Sequence, residues 1–502
     1  MSRLTICFTS DLHGYLYNTN FVDALPRPVG LLGMAFPQDG QTLIIDGGDT
    51  LQGSPLTYFL HEKGHAAFVA DALNARGYAY VTLGNHDFNY GPAYLASYIE
   101  ALHARCLCAN VQDLTGRIPL QPCCVHTMAD GLRVGLFGIV THWVNLWEKK
   151  ENLQGLRITE PLEAARLAVE QLKSEGCDLI VGIYHGGLEK DPDTGRTLSD
   201  TDENEACRLC EELPIDLLLT GHQHIAMVGK NWHGTHVVQP PCNGRQYVRV
   251  DLDERGQFTS ALVSPCETPE LTEQETQVRE QLDAWLSEPI GQLSRALTVE
   301  DRLSMALHGS GIADLINLVQ LEASGADISV TAIPNECRGF SEQVTVQDVV
   351  ASYPYANTLC VLRATGRQVR EALEVCATYF DVRDGEPIRI AESFLQPKEA
   401  HYNYDFFMGV EYAFDLLRPA GQRVVRLERG GRALEDEDEV TVCMNDYRAT
   451  GAGDFPMWKA CPHVREIQTE VSELILRYVQ AHGRIDLPNA SFPVCFSGDE
   501  RL

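Results

Sequence analysis

Five short clusters in the first half of the chain carry side chains that bind metal or move protons. They are Asp11-Leu12-His13, Gly47-Gly48-Asp49, Gly84-Asn85-His86-Asp87, His185-Gly186-Gly187 and Gly221-His222-Gln223-His224. Asp, Asn and His offer oxygen and nitrogen donors without thiolate, a set that suits a borderline or hard divalent ion such as Mn, Fe, Co, Ni or Zn rather than a structural cysteine-rich zinc site. One such residue at a strand end is ordinarily a turn residue. Five clusters, each directly after an apolar run, point to a shared centre. The glycines permit sharp turns and close backbone approach beside the donors.

Residues up to two hundred positions apart can meet only if the fold gathers them. Leu4–Thr9, Thr42–Ile45, Tyr78–Leu83, Arg133–Ile139, Asp178–Tyr184 and Asp216–Thr220 read as short strands bounded by Gly or polar turns, alternating with helical patterns. In such α/β sheets ligands gather beyond the carboxyl ends of the strands, which is where each cluster falls. The clearest helix is Pro161–Glu175, with Leu162, Ala165, Leu167, Ala168, Val169 and Leu172 on one stripe. Residues 267–286 form a polar helical stretch with a Thr-x-x-Glu cap at Thr272–Glu275, and the domain boundary is placed there. Beyond it Gly309–Ala323 and Thr365–Cys376 read as helices, and Glu411–Leu417, Arg423–Arg429 and Glu439–Met444 as strands.

The ordered clusters D-x-H, G-D-x-x-x-G, G-N-H-[DE], H and G-H-x-H resemble the calcineurin-like dinuclear metallophosphoesterases. The resemblance implies a four-layer α/β/β/α domain over residues 1–265 and two divalent ions. Asp49 would bridge them, with Asp11, His13 and His224 completing one site and Asn85, His185 and His222 the other. Two ions ~3.5–4 Å apart lower the pKa of a bridging water and neutralise phosphoryl charge, so phosphate-ester hydrolysis is the implied reaction. His86, unligated, would bond a phosphoryl oxygen or protonate the leaving alkoxide.

A helical linker at 266–290 leads to a mixed α/β second domain at 291–502, with two chemically rich segments. Ala400–Gly409 interleaves aromatics with polar groups, and Asn445–Asp454 sets Tyr447 and Arg448 beside a Gly-rich turn. Aromatic faces can hold a nucleobase at ~1–3 kcal/mol per stacked base, although half-buried Tyr and Phe in strands ordinarily pack. Both segments resemble the base-binding loops of the 5′-nucleotidase C-terminal domain. By that resemblance Tyr447 and one of Tyr402 and Tyr404 sandwich the base, while Asn445 and Asp454 hold ribose or backbone. Thr331–Gly339 carries Asn335-Glu336-Cys337 where many relatives have a glycine triplet, which puts Arg338 in doubt as a substrate contact.

Many nucleoside 5′-monophosphatases of this family read G-N-H-E-F-D, the last Asp supporting the catalytic His. Here the run is Gly84-Asn85-His86-Asp87-Phe88-Asn89, which resembles the 2′,3′-cyclic-nucleotide 2′-phosphodiesterase/3′-nucleotidase branch. The run Tyr353–Leu359 points the same way. Asn89 carries no charge to raise the pKa of His86. A 5′-nucleotidase or nucleotide-sugar pyrophosphatase is the alternative enzyme, and a non-catalytic nucleotide-binding module the alternative class.

Composition bounds the rest. The 502 residues exceed one hydrophobic core, which stops growing near ~250–300 residues. With 70 acidic against 40 basic side chains, the net charge of −30 disfavours polymeric nucleic acid and anionic membrane as partners. Scattered cysteines, and a first strand at Leu4–Thr9 that leaves no room for a leader, give the expectation of a cytoplasmic protein. The oligomeric state has no sequence signature.

Overall fold

Alternation along single strands reveals the layering of the first half. In the strand Arg133–Val140, Val134 and Leu136 join Leu4, Ile6, Phe8, Leu43 and Ile45 in one core, while Phe137 and Ile139 join Leu162, Ala165, Val169 and Leu172 of the helix Pro161–Ser174 in another. Successive side chains of a strand face opposite ways, so this sheet meets a second sheet on one side and helices on the other. We describe the chain from a computed structural model over residues 2–17, 30–195, 197–198, 202–266, 271–335, 337–355, 357–383, 386–395, 399–467 and 469–487. Glu336, Ala356 and the stretch 267–270 of the expected linker lie outside the described residues.

The two sheets are mixed. One has the order Phe258–Val263, Tyr247–Asp253, Ser2–Thr9, Thr42–Asp46, Tyr80–Val81, Arg105–Leu107, Leu120–Gln121, parallel from Ser2–Thr9 onward. The other has the order Met227–Trp232, Thr235–Gln239, Leu217–Thr220, Leu179–His185, Arg133–Val140, Cys123–Thr127, with a parallel centre. The helices Ala66–Ala75 and Gly91–Ala101 lie in crossovers between parallel strands of the first sheet. Crossover helices cover a sheet face, and the inner face is filled by the second sheet, so these helices form the outer layer. The α/β/β/α order follows.

Register then places the site. Thr9 pairs with Asp46, and Tyr184 with Thr220, so parallel strands of each sheet end level with one another. Asp11, Asp49 and His222 follow two or three residues later, and His185 closes its own strand.

The described residues divide into two compact units, one running to Val278 and one from Arg279. The divide falls inside the helix Glu273–Leu286, whose Thr272–Glu275 capping box is formed: Thr272 N–H donates to Glu275 Oε2 at 2.8 Å and Glu275 N–H to Thr272 Oγ1 at 3.2 Å. In the second unit a five-stranded sheet has the order Asp405–Met408, Ile328–Ala332, Glu439–Asn445, Leu359–Thr365, His463–Ile467. Val330, Leu362, Val442 and Met444 share a core with Val369, Leu373 and Cys376 of the helix Gly366–Ala377, around a fully buried Trp458. Leu359, Val361 and Cys443 take the other face, with Leu321 and Leu474. No described helix is long and apolar enough to cross a membrane.

One buried cation organises the second unit's loops. Arg448 donates from Nη2 to Asp405 Oδ1 at 3.0 Å, with its Nε 2.9 Å from Oδ2, and both side chains are nearly inaccessible. The same guanidinium donates to the carbonyls of Tyr402 at 2.9 Å and Ala452 at 2.5 Å, and lies 4.2 Å from the Phe455 ring centre. A planar fork of five donors can serve all these partners, whereas an ammonium cannot. Arg448→Lys is expected to destabilise the second unit by about 3 kcal/mol, the scale for breaking a buried pair. Calorimetry would show it as a lowered transition, and an unchanged thermogram would refute the assignment.

Candidate functional site

Five of the eight described non-glycine residues with positive φ are candidate ligands: Asp11 (55°), His13 (48°), Asp49 (56°), His222 (71°) and His224 (58°). L-residues avoid this region, and such strain concentrates where a site requires a particular side-chain direction. The result is convergence. The donor atoms of Asp11, His13 and His224 lie within 4.8 Å of one another, as do those of Asp49, His185 and His222. Asp49 stands between the groups, its Oδ2 3.1 Å from His185 Nε2.

Backbone and neighbouring groups fix each donor. His13 Nδ1 donates to the Gln52 carbonyl at 2.9 Å and His185 Nδ1 to the Gly47 carbonyl at 2.7 Å, which turns both Nε2 atoms inward. His222 Nε2 meets Glu203 Oε1 at 2.7 Å, and the Trp147 indole stacks on its ring at 5.5 Å. Two glycines are required by space. A Cβ on Gly84 would sit 2.1 Å from Asp49 Oδ1, and one on Gly53 would meet the His13 ring at 2.8 Å. The trailing glycine of the second cluster is thus a seat for His13.

Charge and burial suit cations here. Burial alone would depress His185, but Asp49 outweighs it and lifts the imidazole to about 9. Burial also opposes protonation of His224, yet the bond to Asp11 raises it to about 11. Burial lowers His13 to about 4, leaving a neutral lone pair. Burial would raise Asp49, but the charges of His185 and His86 hold it well below the carboxylate range. Protons on these imidazoles do the neutralising that a divalent ion would do. Asn85 Oδ1 is buried with no hydrogen-bond partner, an acceptor left open for a ligand. The donor set therefore fits divalent cations. Two further groups, Cys360/His463/Glu466 and His142/Glu160/Glu205, include exposed members already engaged in ion pairs.

His86 stands beside this centre, its ring 5.3 Å from that of His13. Its Nδ1 is 2.8 Å from Asn89 Oδ1, and Asn89 Nδ2 donates to Glu148 Oε2 at 2.5 Å. The expectation that Asn89 leaves His86 without a charged neighbour is incomplete, because a carboxylate stands one residue further out. Glu148 follows the short helix Val144–Trp147 and belongs to none of the five clusters, so sequence spacing held no signal for it.

In the second unit the aromatic pair separates. Tyr404 is 3% exposed, its hydroxyl donates to the Ala306 carbonyl at 3.0 Å, and its ring packs against Tyr379, Phe380 and Phe406. It is core, not a base platform. Tyr402 is half-buried and close enough to Tyr447 to perturb it, and Tyr447 is 47% exposed. Asn445 caps the helix Asp446–Ala449, accepting from Arg448 N–H at 2.7 Å and donating to the Tyr353 hydroxyl at 3.4 Å, so it holds backbone. Asp454 is exposed and has φ 71°. Asn403, overlooked in the sequence, has a buried Oδ1 with no partner beside Gly453. Arg338 is exposed.

Residues 4–226 match the calcineurin-like phosphoesterases, and residues 289–460 match the 5′-nucleotidase C-terminal domain. A solved Staphylococcus aureus structure, designated a 5′-nucleotidase and bound to alpha-ketoglutarate, is 32% identical with a TM-score of 0.76, over 98% of this chain and 99% of that one. The chain belongs to the calcineurin-like phosphoesterases that carry a 5′-nucleotidase C-terminal domain. The 2′,3′-cyclic-nucleotide 2′-phosphodiesterase/3′-nucleotidases of Salmonella typhimurium and Haemophilus influenzae are 26% and 27% identical to it. Those matches cover 89% and 90% of this chain and 81% and 80% of theirs.

Within this phosphoesterase fold, Asp87 ties the site loops together. Its carboxylate, 2% exposed, accepts the backbone N–H groups of Asp49, Thr50 and Leu51 at 2.9 Å and of Gly84 at 2.8 Å. Asp87→Asn would point an NH₂ group at one or more of these donors, leaving unsatisfied buried groups at about 1–3 kcal/mol each. The expected outcome is a lower thermal midpoint together with weaker metal uptake, read by calorimetry and metal titration. Unchanged values of both would refute the role.

Proposed function

We propose that the chain hydrolyses phosphate esters of nucleotides, with 2′,3′-cyclic-nucleotide 2′-phosphodiesterase/3′-nucleotidase activity preferred. The observation that carries this reading is the pair of three-residue donor groups around Asp49. Asp11, His13 and His224 would hold one divalent cation and Asn85, His185 and His222 a second, with Asp49 serving both. Such cations, when bound, generate hydroxide from water near neutral pH and offset charge on the phosphoryl oxygens.

The chain's own residues divide the remaining work. His86, bonded at Nδ1 to Asn89 Oδ1, is placed to bond a phosphoryl oxygen or deliver a proton to the leaving oxygen through Nε2. Tyr402 and Tyr447 offer the aromatic faces for a base. Asp454 is an exposed acceptor suited to ribose hydroxyls. The preference for cyclic diester and 3′-monoester is supported by the names of the Salmonella and Haemophilus relatives and by Asn89 in the place of an acid. A 5′-nucleotidase is the second reading, favoured by the designation of the 32% identical Staphylococcus structure. A cytoplasmic setting belongs to this proposal and is supported by the free thiols of all fifteen described cysteines.

Metal analysis coupled to hydrolysis of 2′,3′-cyclic AMP, 3′-AMP and 5′-AMP is the direct test. Turnover of the first two above 5′-AMP is expected, and a marked preference for 5′-AMP would select the second reading. Binding without turnover across a metal series would refute both. His86→Ala is expected to retain the bound metal and lose roughly 10²–10⁴ in kcat, the scale of general acid catalysis. Full activity in that variant would remove His86 from the mechanism.

A further inference from the structure

His86, Asn89 and Glu148 form a line of hydrogen bonds whose direction is set at its far end. The Glu148 side chain is buried and takes three donors: Asn89 Nδ2 at 2.5 Å on Oε2, and Asn152 Nδ2 at 2.9 Å and Lys149 N–H at 2.6 Å on Oε1. An ionised carboxylate only accepts. Asn89 must therefore present its NH₂ to Glu148 and its carbonyl oxygen to His86. A carbonyl oxygen also only accepts, so the proton of this bond must reside on His86 Nδ1. Asn152 Nδ2 also reaches the Asn89 carbonyl at 2.8 Å, which secures the backbone of the middle member.

The geometry points to Glu148 as a positioning residue that fixes the His86 tautomer through Asn89. With Nδ1 protonated and bonded, Nε2 of His86 can gain and release a proton without disturbing the line. When the P–O bond to the leaving group breaks, that oxygen keeps the bonding pair and takes the proton from Nε2, and His86 returns to its neutral Nδ1–H form. Were Asn89 turned over, its NH₂ would face Nδ1, and the doubly protonated ring would meet donor against donor. The Asp of an Asp–His pair sets the tautomer directly. Here an amide transmits the same instruction from a carboxylate one residue removed. The inference rests on the role proposed for His86 above.

Polarity makes the test specific. Glu148→Gln lets Asn89 sit either way round, so kcat is expected to fall between about 10-fold and 10⁴-fold, the upper figure being the scale for a catalytic imidazole in the wrong tautomer, with KM and metal content little changed. The double variant Glu148→Gln/Asn89→Asp restores an acceptor facing His86 and a donor facing the new acceptor. It is expected to recover most of the lost kcat. Long-range ¹H–¹⁵N spectra of [¹⁵N]histidine-labelled metal-free protein, with the His86 signals identified by their loss in His86→Gln, should show Nδ1 protonated in wild type and in the double variant but not uniformly in Glu148→Gln. The proposal is overturned if Glu148→Gln keeps wild-type turnover and tautomer, or if the double variant is no more active than Glu148→Gln. Should the wild-type protein hydrolyse no phosphate ester, the functional reading falls, and the spectra still decide the tautomer.

Discussion

Four backbone amides converging on the buried Asp87 carboxylate constrain everything around the candidate centre. Three come from the segment that carries Asp49, and the fourth precedes Asn85. One side chain thus clamps two loops that leave neighbouring parallel strands. The clamp explains how Asp49 persists at a positive φ, since three consecutive bonds over-determine the turn. It also explains why Gly84 has no side chain, because Asp49 occupies that space. Burial raises the Asp87 carboxyl above its ordinary range, with Asp49 adding to the rise, while the amides pull it back. A charge held here is stabilised by peptide dipoles rather than by a counter-ion.

The centre was legible in the sequence because each donor sits immediately after an apolar run, and parallel register carries those ends to one edge. Strand identity, the capping box before Glu273 and the Pro161–Ser174 helix were legible for the same reason, as local patterns with local causes, although Leu167 of the expected stripe is exposed. Glu148 was not. It reaches Asn89 across 59 positions from a segment with no periodicity, and only the folded chain makes the pair visible. Tyr404 illustrates the opposite failure. Polar and aromatic residues interleave around it as in a binding loop, but at the turn before the strand Asp405–Met408 it is buried and its hydroxyl finds a carbonyl. Asn445 caps the short helix Asp446–Ala449, a role an Asn in that position readily takes.

In the second unit Arg448 does for the candidate base loops what Asp87 does for the ligand loops, with the sign of the charge reversed. It gathers carbonyls and one carboxylate from segments more than forty residues apart. Each unit therefore places a buried charge behind its functional loops, Asp87 held by backbone amides and Arg448 by the Asp405 carboxylate together with two carbonyls. The chain's excess of acid plays no part in either arrangement. The run Glu435–Glu439, for instance, sits in an exposed turn where Arg367, Arg370 and Arg432 meet it.

The short helix Val144–Trp147 gives a different kind of constraint. Its last residue, Trp147, stacks on His222, and the next, Glu148, reaches Asn89, so neighbouring positions serve opposite sides of one centre. Trp147 ends the helix and Glu148 follows it in an extended conformation. Inserting or deleting one residue before Trp147 would rotate both partners away together. Surface connections ordinarily absorb changes of length freely, and this one should resist them, leaving a fixed spacing where drift would otherwise be expected.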